Sequence, residues 1–204
     1  MIVCFDIGGV LVRICRSWEE GCIAAGVPVR SFDEDAAHRG RISDIVHELQ
    51  RGAIEDHEFH REVSDLFRGA WSPEEVARID AAWLLGPYEG TADLIRDLGA
   101  AGRETACLSN TSSGHWKSLL EFECVSRLQH RHASHLLGLV KPDLDIYLTF
   151  ERLTGRRPDE IVFFDDLEAN VAAATDRGWD AVRIDHETDT ARQMREALTG
   201  RGLI

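Results

Sequence analysis

The stretch Ile2-Val3-Cys4-Phe5-Asp6-Ile7-Gly8-Gly9 decides how the rest of the chain reads. Its first four residues are a short apolar run of the kind that becomes a buried parallel strand, and the run ends in an acid followed by two glycines. Asp6 therefore stands at the carboxyl end of a strand. In an open α/β sheet that edge is where ligands bind, so its position matters as much as its chemistry.

Beyond this strand the rhythm changes. From about Ser17 to Ala82, the segments WEEGCIAAG, SDIVHELQRG, HEFHREVSDLFRGAW and PEEVARIDAAWLL each carry one apolar stripe at helical spacing, which predicts an all-helical block. Gly52 reads as a helix stop, Asp56 as the cap of a helix beginning at His57, and Ser72-Pro73-Glu74-Glu75 as a capping box with proline at the first helical position. After Gly86-Pro87 strands and helices alternate: helix 91–102, strand 104–109, a helix near 115–122, a weak strand near His132 to Leu136, helix 143–155, strand 161–166, helix 168–178 and strand 181–184. Repeated βα units imply a parallel sheet covered by helices. The expected fold is α/β, a three-layer Rossmann-like parallel sheet formed by residues 1–13 and 88–204. An all-helical cap, residues 14–87, is inserted after the first strand.

Composition narrows the function classes. At 204 residues, 44% of them apolar, the chain suits one core plus an appendage. A net charge of −13 without a long basic block gives no support for a nucleic-acid or anionic-membrane partner. A small polar substrate fits better, and the chain is expected to be a monomer or homodimer. No apolar run is long enough to span a bilayer, and Met1 leads straight into the first strand, so a cytoplasmic location is expected. The five cysteines, Cys4, Cys15, Cys22, Cys107 and Cys124, form no CxxC pair and read as reduced structural thiols.

Four features fall at carboxyl ends of predicted strands: Asp6, Ser109-Asn110-Thr111, Lys141-Pro142 and Asp165-Asp166. Each alone has an ordinary reading as a cap, a turn or a solvated side chain. Together at one sheet edge they would gather three carboxylates, a lysine, a hydroxyl and two loops of main-chain amides. Three carboxylates repel unless a cation lies between them, and hard oxygen ligands favour magnesium. The lysine and amides would hold an anionic group.

These stretches, FDIGGVLV, CLSNT, VKPD and FFDDLEAN, resemble the four motifs of the haloacid dehalogenase superfamily, in the family's order. The helical block is similar in position to that family's cap. Gly8, the SNT followed by His115-Trp116, and the cap segment QRGAIEDHEF look most like the glucose-1-phosphate phosphatase group. The resemblance implies a magnesium-dependent phosphatase, with a sugar phosphate the favoured substrate and Asp6 as nucleophile. Magnesium would be held by Asp6, the Gly8 carbonyl and Asp166, with Asp165 a direct or water-mediated ligand. Ser109, Asn110 and Lys141 would bind the phosphoryl group, and Asn170 would orient the metal ligands.

Gly8 departs from the pattern, because most phosphatases of the superfamily carry there an aspartate that protonates the leaving oxygen. Either the leaving group needs little help, or another residue such as His115 substitutes, or the chain has become a weak catalyst that binds phospholigands. A 2-haloacid dehalogenase chemistry is the further alternative, opposed by the Asp165-Asp166 pair. His38, His47, His57 and His60 form no metal-ligand pattern. Trp18, Trp71 and Trp83 are expected in the cap core, and Arg13 and Arg16, near the crossing from core to cap and within reach of a phosphate or sugar, are read as solvated.

Overall fold

The computed structural model describes residues 1–31 and 36–204, with backbone alone at 36–39. The apolar run Ile2–Phe5 is β1, buried along its whole length at the centre of a five-stranded sheet. Its neighbours are β4 (Glu104–Ser109) and β6 (Ile161–Asp165); β5 (His130–Ala133) and β7 (Asp180–Arg183) form the edges, giving the order β5-β4-β1-β6-β7. Every pairing is parallel. The carboxyl ends of β1, β4 and β6 therefore fall on one edge of the sheet, and the Asp6 N–H continues the ladder to the Phe164 carbonyl at 2.8 Å.

Successive β1 side chains feed opposite faces, as a strand's two-residue period requires. Val3 and Phe5 join Leu94, Ile95 and Leu98 of α5 (Thr91–Ala100), together with Met194 and Leu198 of α11 (Thr190–Gly200). Ile2 and Cys4 join Ile146, Tyr147 and Phe150 of α9 (Leu144–Thr154), and Ala174 of α10 (Glu168–Asp176). The result is an α/β sandwich of three layers. Short helices α6 (Ser113–Leu119), α7 (Glu123–Ser126) and α8 (Ser134–Leu137) complete the connections around β4 and β5.

Between β1 and α5 the chain leaves through β2 (Val12–Ile14) and returns through β3 (Leu84–Pro87), an antiparallel two-stranded ribbon. The helical segment between them holds α1 (Trp18–Ala25), α2 (Ala36–Gln50), α3 (Asp56–Leu66) and α4 (Pro73–Ala81). These pack around their own apolar cluster, centred on Phe59, Val63, Phe67 and Trp71. Ser72 caps α4 as expected, with Ser72 Oγ accepting from the Glu75 N–H at 3.3 Å and the Glu75 carboxylate accepting from the Ser72 N–H at 3.0 Å.

Several expectations are corrected. The helical pattern read through Leu85 ends at Ala81, because Leu84–Pro87 pairs with β2 and the ribbon hydrogen bonds override a continuing apolar period. Asp56 is the first residue of α3 rather than its cap: the residue before the helix is Glu55, whose N–H donates to the Glu58 carboxylate at 2.9 Å. The weak strand lies two residues earlier than read, at His130–Ala133, since this polar segment is specified by its pairing with β4 and not by an apolar run. Helix α11 follows the last strand and has no counterpart in the sequence reading. All five cysteines are free and buried, and burial pushes the Cys107 thiol up to about 12, leaving it unreactive. No helix among the described residues is long and apolar enough to cross a membrane.

Candidate active site

The parallel sheet brings three aspartates together. Asp6 leaves β1, Asp165 ends β6 and Asp166 follows it; carboxylate oxygens from all three lie within 4.8 Å of one another, and all three residues are buried. Lys141, fully buried in the loop before α9, reaches between them: its Nζ lies 2.6 Å from Asp165 Oδ2 and 3.1 Å from Asp6 Oδ1. Burial works against the ammonium, but Asp165 and Asp6 outweigh it and hold the Lys141 pKa above its usual value. Burial likewise pushes Asp6 up to about 7, against the pull of Lys141 and with a further push from Asp165 and Asp166.

The supporting bonds fix this geometry. The Asn110 amide clamps the Lys141 backbone at both ends, Nδ2 donating to the Lys141 carbonyl at 2.9 Å and Oδ1 accepting from its N–H at 2.8 Å. Asn110 thus positions the lysine through its side chain, while only its main-chain amide is left to meet a phosphoryl group. Asn170 Nδ2 donates to both Asp165 oxygens at 3.0 Å, and the Leu167 N–H adds a bond of 2.9 Å to Oδ1. With Lys141 on Oδ2, Asp165 is saturated. Asp166 instead meets Arg16, whose Nη1 lies 2.8 Å from Asp166 Oδ2.

Arg16 is the site residue that sequence reasoning placed in solvent. It lies just before α1, and nothing in its local pattern distinguishes it from an exposed arginine. His186, with Nδ1 3.7 Å from Asp166 Oδ2, arrives from the loop after β7 and carried no signal at all. Gly9 is required by both conformation and space: its φ is +77°, and a Cβ there would collide with Arg16 and Asp166. Gly8 differs. A Cβ on it would stand 3.1 Å from Ile14 Cδ1, so a side chain at this position needs the end of Ile14 to give by a few tenths of an ångström.

Next to Gly8, a chamber of about 270 Å³ lies between the sheet edge and the helical segment, with Gly8, Ser109 and His115 in its wall. His115 caps the chamber from α6 and is bound to α4: its Nε2 is 2.8 Å from the Asp80 carbonyl and 3.2 Å from Asp80 Oδ1. His60 of α3 takes the other oxygen, with Nε2 3.1 Å from Asp80 Oδ2. Burial opposes the charge on Asp80, yet the bonds from His115 and His60 bring it down to about 2. Burial would depress His115, but Asp80 outweighs it and raises the imidazole. His47 and His57 are exposed, and the side chain of His38 lies outside the described residues. Trp71 fills the helical core, whereas Trp18 and Trp83 also line the chamber. Arg13 is exposed.

The family model for haloacid dehalogenase-like hydrolases matches residues 1–177. The chain belongs to that family. This hydrolase superposes on a HAD-like family hydrolase from Porphyromonas gingivalis with a TM-score of 0.77 at 24% identity, covering 97% of each chain. A HAD family enzyme from Bacteroides thetaiotaomicron, solved in complex with magnesium and inorganic phosphate, gives a TM-score of 0.75 at 20% identity, over 95% of this chain and 98% of that one. The L-2-haloacid dehalogenase of Xanthobacter autotrophicus gives 0.63 at 21% identity, over 98% and 82%. At these identities the likeness is one of fold.

The hydrolase's acidic trio suits a hard divalent cation. Its donors are carboxylate oxygens, and three carboxylates face one buried ammonium and the partly exposed Arg16, leaving excess negative charge in a buried place.

Proposed function

We propose that the chain is a magnesium-dependent phosphatase of small phosphate monoesters, working through an aspartyl-phosphate on Asp6. The observation that carries this reading is the buried trio Asp6, Asp165 and Asp166 gathered around Lys141. Displacement of halide at carbon needs no such concentration of negative charge.

Asp6, Asp166 and the Gly8 carbonyl would hold the metal directly; Asp165, its oxygens already shared by Lys141, Asn170 and the Leu167 N–H, would act from behind them. A bound magnesium ion supplies charge neutralisation at the transferring phosphoryl group. Lys141, Ser109 and the main-chain amides near Gly8 and Asn110 hold the phosphoryl oxygens. An Asp6 oxygen attacks phosphorus and the ester oxygen departs, taking a proton from His115 Nδ1 or through a water from the same imidazole. Water then attacks the aspartyl-phosphate, returning its proton to His115 and freeing Asp6 and inorganic phosphate. The protonated form of His115 that this requires is the form that Asp80 stabilises. The substrate is a small phosphorylated metabolite rather than a nucleic acid or a membrane, consistent with a net charge of −13.

The test is phosphate release from a panel of phosphate monoesters, with magnesium and with EDTA, using Asp6→Asn as control. Release is expected in magnesium, with a loss of at least about a thousandfold in EDTA or in the variant. Turnover that survives chelation, or that survives Asp6→Asn unchanged, would end this reading, and halide release from 2-chloropropionate would replace it with carbon chemistry.

A further inference from the structure

The chamber that Gly8 and Ser109 border has walls of unequal chemistry. Its floor, Gly8 and Ser109, belongs to the sheet edge. The rest is built largely from the helical segment: Ile42, Val46 and Leu49 of α2 and Phe59 and Val63 of α3. Trp83, Leu84 and Ile14 extend the apolar surface down to Gly8, where Ile14 occupies the space beside the missing side chain.

Some of the polar groups in the wall are committed elsewhere. The Asn110 amide is spent on the Lys141 backbone, the Ser112 hydroxyl accepts from the His115 N–H at 3.2 Å, and the Asp80 carboxylate is shared by two histidines. A hexose brings four or more hydroxyls that must each find a partner once water is excluded, and this wall offers few. An apolar ring asks for none. Trp18 Nε1 is buried without a hydrogen-bond partner and Trp18 lines the chamber, as do Gln50, Ser109 and Thr111, so a few polar groups meet the ligand within a wall that is mostly apolar. Size sets the second limit. A cavity of about 150 Å³ holds one benzene ring, so a chamber of about 270 Å³ takes one substituted ring but not a nucleoside or an extended lipid chain.

We infer that the substrate's leaving group is a compact, mostly apolar one, a single carbocyclic or aromatic ring or a branched alkyl group, seated against Val46, Leu49, Phe59 and Trp83. The inference rests on the phosphatase reading for its chemistry, and it departs from the sugar phosphate that the motif resemblance favours. The chamber selects by its extended apolar face, Ile42, Val46, Leu49, Phe59, Val63 and Trp83, against which the hydroxyls of a polyol find no partner.

The experiment compares cyclohexylmethyl phosphate with glucose 6-phosphate, a pair matched in ring size and in the primary alcohol that leaves. In the wild-type protein with magnesium, kcat/KM is expected to favour the carbocyclic ester by tenfold or more. Val46→Asn, which places an amide on the chamber wall, narrows that ratio, and Val46→Phe, which fills the chamber, lowers kcat/KM for cyclohexylmethyl phosphate more than for methyl phosphate. The same two ring esters are titrated calorimetrically into magnesium-loaded Asp6→Asn, where tighter binding of the carbocycle by tenfold or more is expected. Equal or better kcat/KM or binding for glucose 6-phosphate overturns the inference. Absence of phosphate release from both esters, with the carbocycle still bound more tightly by Asp6→Asn, overturns the phosphatase reading and leaves the chamber's selectivity standing.

Discussion

The floor and the roof of the site are built by opposite rules. The floor is polar and crowded: Asp6, Asp165, Asp166 and Lys141 are buried together, and nearly every polar atom around them has a specified partner. The roof is apolar, contributed by side chains of α2 and α3 that would be unremarked in any helix core. In the floor, one lost partner leaves a buried charge exposed to its like. In the roof, a lost methyl group changes a shape. The two halves should therefore respond to substitution on different scales and in different quantities, the floor in rate and stability, the roof in selectivity.

The largest effect is expected at the floor. Lys141→Met removes the cation shared by Asp6 and Asp165 while keeping most of the volume. Breaking a buried ion pair from one side costs about 3–5 kcal/mol, so denaturant unfolding without metal should show a loss of that order, and phosphate release should fall below detection. Magnesium should restore part of the stability, because a cation then replaces the lost charge. A variant as stable as the wild type without metal would show that the trio tolerates its own repulsion, and the contrast with the roof would collapse.

An intermediate effect is expected where floor and roof meet, at His115. The groups that face its imidazole are Asp80 on α4 and Asp56 on α3, with His60 sharing the Asp80 carboxylate. Asp80, held at about 2, contributes stability that is present above its unfolded pKa of about 3.9 and is lost as pH falls from there through 2, an effect of roughly 2 kcal/mol. His115, raised in the folded state, contributes stability that is complete below its unfolded pKa of about 6.5 and is lost as pH rises through its folded value. As proton donor it gives kcat the same alkaline limb. His115→Gln should lower kcat for alkyl esters by about a hundredfold and remove that limb; a purely structural histidine would leave the limb in place.

The smallest effect is expected at Gly8. Gly8→Asp brings a carboxylate against Ile14 Cδ1, which must shift, so the single variant should gain no more than about tenfold on alkyl esters and lose some thermal stability. Adding Ile14→Ala makes room for the acid and should raise the gain, while weakening the preference for apolar leaving groups. A single variant with full gain and unchanged stability would mean that Ile14 does not hold that space.

The floor was legible in the sequence because its residues are tied to strand ends. Asp6 follows a run of four apolar residues, Asp165 and Asp166 follow another, and strand periodicity together with parallel pairing carries such ends to one edge. Arg16 and His186 were not legible. Each reaches Asp166 from a loop whose path depends on how the ribbon and the last strand pack, and their local sequence is that of any exposed loop. The same holds for β2 and β3: Leu84 and Leu85 continue an apolar helical pattern, and only the pairing with Val12–Ile14 makes Leu84–Pro87 a strand.

The sequence alone carried the α/β architecture with its inserted helices and the meeting of Asp6, Lys141, Asp165 and Asp166 at one sheet edge, because these follow from local hydrophobic period and from the chemistry of acids placed at strand ends. Tertiary structure decided what stands over that set. Ile42, Val46, Leu49, Phe59 and Val63 have the spacing of any amphipathic helix, and whether such a stripe is spent wholly on its own core or also lines a chamber depends on how the helices seat on the sheet. The same packing brings His115 to Asp80, 35 residues apart in the chain, and Asp80 raises the imidazole's pKa against the effect of burial.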